Sequence, residues 1–256
     1  MRISFIPIYD AQSMCQGYNQ AIAQSTAKYK VYLHQDTFII CPTFIKDLLS
    51  IFQDASVGLV GTIGALCLHH TGVWWDSTYK YGRVIYSSGD GRWREYYFEN
   101  QEASLDGFID AAVVDGLLMA TQYDIPWQET YFKWHFYDVS QCFEFHKAGR
   151  RVCIPSLDAP WCIHHSGLAS LVGYNDARDV FLGLYSSIME KHRIVFHNEF
   201  GQKKLNYRPS YIPVPRPGNR RSLAYVEYRI LKLIQSIFQK IDPLGKGWSV
   251  RKNDIY

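Results

Sequence analysis

The feature that most limits what this chain can fold into is an alternation of short apolar runs with segments whose apolar residues recur at helical spacing. Ile3 to Ile8 reads as a strand, and Asp10 to Ser13 supplies polar residues to cap a helix over about 13–24. Tyr29 to Leu33 (YKVYL) is a second strand, ended abruptly by His34-Gln35-Asp36, and Pro42 then opens a helix reaching about Gln53. Val57 to Ile63 is a third strand. The pattern resumes with Phe108 to Val114, an acidic turn at Asp115-Gly116, and Leu117 to Thr121. A helix over 137–148 stops at Gly149, Arg151 to Ile154 is a strand, Trp161 to His165 is extended, and a further helix spans about 176–191. Strands and helices in this order predict an α/β fold, a mostly parallel sheet with helices on both faces.

Length sets the scale. At 256 residues there is room for one large α/β domain and a small appendage, not for two full catalytic domains. The main domain is read as 1–205. Within it, 72–100 turns aromatic and Gly-rich, with a hairpin turning at Gly89-Asp90-Gly91, and reads as an insertion. Four prolines between Arg208 and Gly218 mark a stiff extended linker. Beyond it Leu223, Val226, Ile230, Ile237 and Ile241 recur at helical spacing among Arg221, Arg229, Lys232 and Lys240, giving a basic amphipathic helix within a 206–256 extension. That extension carries ten Lys or Arg against three acidic residues, which leaves 1–205 at −4 although the whole chain is +3. The helix either docks on the main domain or rests on an anionic membrane surface as a peripheral contact.

The six cysteines show no CxxC pair and mostly sit in apolar runs, so they read as buried thiols of a reducing, cytoplasmic compartment. The N-terminus lacks the pattern of a secretory signal, and no eighteen-residue apolar run is present. No basic patch with interleaved aromatics lies in the main domain, which argues against nucleic acid as a partner. The nine histidines show no HExxH spacing, which argues against a zinc hydrolase. Aromatic residues make up 16% of the chain, enough to line a sugar-binding cleft as well as the core.

Three short segments carry candidate chemistry. Asp36 follows a strand, where ligands of open α/β sheets bind and where a carboxylate can meet a metal between phosphates; the same placement also suits a turn or cap. Asp138, in Trp134-His135-Phe136-Tyr137-Asp138 at a helix start, is either a cap or a general base. His164 and His165 are adjacent on extended backbone and point to opposite faces, so one of them at most reaches a given metal.

Taken in order, GYNQAIAQSTAKYKVYLHQD (Gly17 to Asp36), VDGLLMA (Val114 to Ala120), FYDVSQCFEFHKAGRRV (Phe136 to Val152) and IHHSG (Ile163 to Gly167) resemble family 2-type glycosyltransferases of the GT-A fold. The likeness is closest to the subgroup that includes the streptomycin-biosynthesis-type glycosyltransferase-like domain, and it covers about residues 3–167. It implies that His34-Gln35-Asp36 stands where the family has its Asp-any-Asp motif, with Asp36 a ligand of Mn²⁺ or Mg²⁺ and His34 in place of the acid that contacts the donor's ribose or sugar. It further implies Asp138 as catalytic base, His164 or His165 as the late histidine completing the metal site, and Asp115 and Gly116 as lining of the acceptor and sugar pocket. Gln35, Trp134 and His135 join the donor and acceptor contacts. Aligned this way, the family's first β-α unit has no counterpart ahead of the Gly17 helix. The resemblance implies a metal-dependent inverting transfer of sugar from a nucleotide-sugar donor to a hydroxyl of a glycan or lipid-linked acceptor, as in polysaccharide biosynthesis. The alternative is a non-catalytic module that keeps the fold and binds glycan or nucleotide.

Overall fold

The structure is a computed structural model and describes residues 2–87, 93–98, 107–165, 170–200 and 210–213, all within the unit Met1–Pro213. In chain order the elements are α1 (Met14–Ala23), β1 (Lys30–Leu33), β2 (Thr37–Ile39), α2 (Phe44–Ile51), β3 (Val57–Gly61), β4 (Ile63–Ala65), β5 (Lys80–Ser87), β6 (Trp93–Phe98), β7 (Phe108–Asp110), β8 (Val113–Val114), β9 (Leu118–Thr121), α3 (Tyr137–Lys147), β10 (Arg151–Pro155), β11 (Cys162–His164), α4 (Tyr174–Phe200) and β12 (Ser210–Pro213). No helix among the described residues is long and apolar enough to cross a membrane.

Local chemistry explains the helices. Ser13 caps α1 by accepting the N–H of Gln16 at 3.0 Å, and Gln16 Oε1 accepts the N–H of Gln12 at 2.8 Å. In α2, Phe44, Leu48 and Ile51 fall on one face and are buried. Gly149, with φ +69°, ends α3 in a left-handed conformation that costs glycine little. α4 is longer than its apolar pattern announces, because Phe181, Tyr185, Met189 and Phe196 continue one buried face well past residue 191.

Two sheets share the core. One has the order β1-β9-β3-β10-β7; the other has β12-β6-β5-β11-β2, with β4 bridging β5 and β8. The mixed α/β content is as expected, but the mostly parallel sheet is not. Among the described pairings only β3 with β10 and β5 with β11 are parallel, and the rest are antiparallel. Continuous apolar runs such as Val57 to Gly61 report burial on both faces, which parallel strands usually have. Here antiparallel strands have it too.

The antiparallel direction comes from two bent strands running past each other. β3 and β4 are one path bent at Thr62, where Val57 to Ile63 was expected to run straight, and β9 and β8 lie alongside in the opposite sense. Gly61 sits opposite Met119, so a ladder kept in step would put Gly64 opposite Gly116; instead Gly64 faces Val114. Two surplus residues are therefore taken up around Asp115-Gly116-Leu117, a bulge that turns them out of the ladder. Glycines make the crossing possible. A Cβ on Gly64 would lie 2.1 Å from the Val113 carbonyl oxygen, and one on Gly61 would lie 2.4 Å from Val114 Cβ.

Ile3 to Ile8, expected as a strand, pairs with nothing among the described residues and has no regular structure. Ile3 is 58% and Phe5 80% exposed on one face, Ile6 and Ile8 are only partly buried on the other, and Pro7 removes a ladder donor from the middle of the run. The stretch 72–100 contributes β5, which occupies the middle of the second sheet with Tyr81 and Val84 buried, and pairs with β6 as a hairpin whose turn lies outside the described residues. In the proline-rich stretch, Ser210–Pro213 forms β12, the edge strand beside β6, where proline is tolerated. The rest of that stretch and the basic helix beyond it lie outside the described residues. All six cysteines are free, five of them buried and Cys41 partly so.

The glycine crossing yields a stability test. Gly64→Ala forces backbone apart and is expected to cost about 2 to 3 kcal/mol in urea unfolding. Gly183, on the exposed side of α4 with open space around a Cβ, should gain about 0.5 to 1 kcal/mol as alanine. Equal effects at the two positions would contradict the packing described.

Candidate functional site

The site is assembled where β1 runs out. Thr37 N–H donates to the His34 carbonyl at 3.1 Å, closing His34-Gln35-Asp36-Thr37 as a turn, and His34 N–H donates to the Leu117 carbonyl at 3.2 Å. The turn is thus tied to the bulge. On its other side His165 N–H donates to the Asp36 carbonyl at 2.8 Å, and β11 pairs with β2 so that His164 stands opposite Thr37. That register brings His164 Nε2 to 3.2 Å from Asp36 Oδ1, with the ring of His34 5.5 Å from that of His164.

His34, Asp36 and His164 each offer one ligand atom within 4.8 Å of the others. Two ligands bound at about 2.1 Å to one ion lie about 3 to 4 Å apart, so the group fits a divalent cation after a small contraction. Its electrostatics are already paired. Burial opposes the imidazolium of His164, but the hydrogen bond and charge of Asp36, aided by Asp115, outweigh it and raise His164. Burial likewise opposes the Asp36 carboxylate, yet the contact with His164 and the charge of His34 hold it below the usual range. His34 is lowered, by burial first and by His164, against the pull of Asp115 and Asp36.

The second half of the site is the start of α3. Phe136 precedes it with φ +58°, a left-handed conformation rare for a bulky residue, and its ring is held between Tyr174 and Phe181. This bend sets Asp138 in the first helical turn, where its Oδ2 accepts the N–H of Gly116 at 3.0 Å. Burial, and then the charge of Asp115, push the Asp138 carboxyl up to about 7, while the N–H groups of Val139, Gly116 and Asp138 itself pull it back. Asp115 accepts the Leu117 N–H at 2.9 Å, and its charge reaches His34, His164 and Asp138 alike. It is the common neighbour of both halves.

Between the halves stands Tyr137. Its hydroxyl is hydrogen-bonded to His34 Nε2, and its ring covers Gly116, where a Cβ would lie 2.0 Å from Oη. Only glycine fits under that ring.

The residues singled out from sequence are therefore not all brought together. His34, Asp36, Asp115, Gly116, Asp138 and His164 converge, and Gln35 is exposed at the tip of the turn. His165 turns away from the group, its ring 5.3 Å from that of Trp93. His135 Nε2 donates to the Val172 carbonyl, 3.1 Å away, beside Tyr174, and Trp134 is 47% exposed. Tyr137 was given no role from sequence; a buried aromatic next to a catalytic candidate is ordinarily core, and its one signal was adjacency to Asp138.

The family described as "Glycosyltransferase like family" matches residues 1–185 of the 256. No curated protein matches the chain.

The raised carboxyl leads to a pH test. Folded Asp138 keeps its proton between about 4 and about 7, where the unfolded chain has released it, so this group makes the wild type less stable as pH rises through that interval. Urea midpoints of wild type and Asp138→Asn at pH 5 and pH 7.5 should show the variant gaining on the wild type at the higher pH. Parallel profiles would contradict the assignment.

Proposed function

Because this chain belongs to the glycosyltransferase-like family, we propose that it is a metal-dependent, inverting transferase of the family 2 type that moves a sugar from a nucleotide-sugar donor to a hydroxyl of a glycan or lipid-linked acceptor. The observation that carries the reading is the convergence of an Asp36–His164–His34 group and a carboxyl of raised pKa, Asp138, around the Asp115-Gly116 bulge.

Asp36, His34 and His164 would hold the cation. Two imidazoles with one carboxylate suit Mn²⁺ better than Mg²⁺, which prefers oxygen ligands. When bound, such an ion supplies positive charge against which the nucleoside diphosphate departs.

Asp138 acts as base. Its Oδ2 accepts the Gly116 N–H, which with the N–H groups of Val139 and Asp138 fixes the carboxylate for an acceptor hydroxyl. The acceptor oxygen forms its bond to the anomeric carbon as the bond from that carbon to the diphosphate oxygen breaks; the hydroxyl proton goes to Asp138, and the electron pair leaves with the diphosphate. One displacement inverts the anomeric centre. A base with a pKa near 7 is partly ionised at neutral pH and basic enough to take that proton. After burial, Asp115 is the neighbour that raises that pKa.

The test is calorimetric titration of UDP-, GDP- and dTDP-sugars with and without Mn²⁺, paired with transfer assays. Binding of one donor class should require Mn²⁺ and vanish in Asp36→Ala. Asp138→Asn should keep that binding and lose about 10²- to 10⁴-fold in kcat. Full turnover in either variant would overturn the role assigned to it.

A further inference from the structure

We propose that Tyr137 is a positioning residue: its hydroxyl holds His34 by Nε2, so that His34 ligates the cation through Nδ1 and the metal group is mechanically joined to the Asp138 carboxylate. The inference rests on the reading of His34, Asp36 and His164 as a metal site.

The geometry leaves His34 little choice. Its Nε2 is engaged by the Tyr137 hydroxyl, so the lone pair that can reach a cation is that of Nδ1. An imidazole that ligates through Nδ1 carries its proton on Nε2, and that N–H then donates to Tyr137 Oη. Ligating histidines generally give their second ring N–H to a fixed acceptor, which sets tautomer and ring orientation. Here the acceptor is a phenol. Three surroundings keep it in place. The ring covers Gly116, with no space for a β-carbon between them. Tyr18 and Trp127 stand 6.2 and 6.1 Å from it, centroid to centroid. The left-handed Phe136 fixes the backbone from which it springs.

The consequence reaches across the site. Tyr137 is the first residue of α3 and Asp138 the second, and Asp138 is bonded to the same Gly116 that the Tyr137 ring covers. Tyr137 therefore anchors His34 to the segment that carries the base.

The experiment uses the full chain, with calorimetric Mn²⁺ titration and long-range ¹H–¹⁵N correlation of the histidine rings. In wild type saturated with diamagnetic Zn²⁺, His34 should carry its proton on Nε2; a proton on Nδ1 overturns the proposal without any substitution being needed. Tyr137→Phe, which keeps the ring over Gly116, should weaken Mn²⁺ binding about ten- to a hundredfold. Added to His34→Ala, the same substitution should weaken it no further. Unchanged Mn²⁺ affinity in Tyr137→Phe, or a full additional loss in the double variant, overturns the role of Tyr137 while leaving the metal site standing. A wild type that binds no Mn²⁺ overturns the metal reading and this inference together.

Discussion

The bulge at Asp115-Gly116-Leu117 is the constraint on which the rest of the site depends. Two bent strands pass each other in antiparallel sense, and the crossing is close enough that Gly61 and Gly64 cannot carry side chains. A ladder in step there would bury residues 115 and 116 in the pairing. The two surplus residues turn them outward instead, with Asp115 N–H still held by the Ile63 carbonyl at 2.8 Å. One anchored carboxylate and one bare glycine thus face the end of β1 and the start of α3. His34 hangs from the bulge through Leu117, Asp138 through Gly116, and Tyr137 lies across it. Bulges often stand beside active sites because they re-aim side chains without breaking the sheet, and this one aims them from both directions.

The electrostatic arrangement follows from that placement. Asp115 lies within reach of two imidazoles and one carboxyl, and it acts on them in the same direction, favouring the proton on each. For His164 this adds to the Asp36 contact and favours a charged pair. For Asp138 it adds to burial and delays ionisation toward neutral pH. One carboxylate therefore acts both on the His34–Asp36–His164 group and on the Asp138 carboxyl, which sit on different elements.

How much of this was legible in the sequence depended on what each segment buries. YKVYL ending in HQD announced β1 and its turn because an apolar run met polar residues within one step, and Ser13 announced the start of α1 because its hydroxyl has one local task. The bend at Thr62 left no trace, since residues on both sides are buried and a continuous apolar run looks the same straight or bent. Strand direction was hidden for the same reason. Ile3 to Ile8 misled because propensity was read without a partner strand to pair with, and Pro7 argued against it. Asp36, Asp138 and His164 were singled out through the order of four segments resembling one family, while placing His164 rather than His165 beside Asp36 needed the β2–β11 register. Tyr137 stayed silent because nothing in a sequence distinguishes a buried tyrosine that fills space from one that holds a histidine.

The central claim is that one cation site and one base share this bulge. Crystals grown with Mn²⁺ and a nucleoside diphosphate, measured at the manganese absorption edge, test it most directly. The account predicts a single anomalous peak within bonding distance of Asp36, His164 and His34, with the diphosphate beside it and Asp138 open to the acceptor side. A peak elsewhere, or diphosphate bound with no peak at this group, would contradict it.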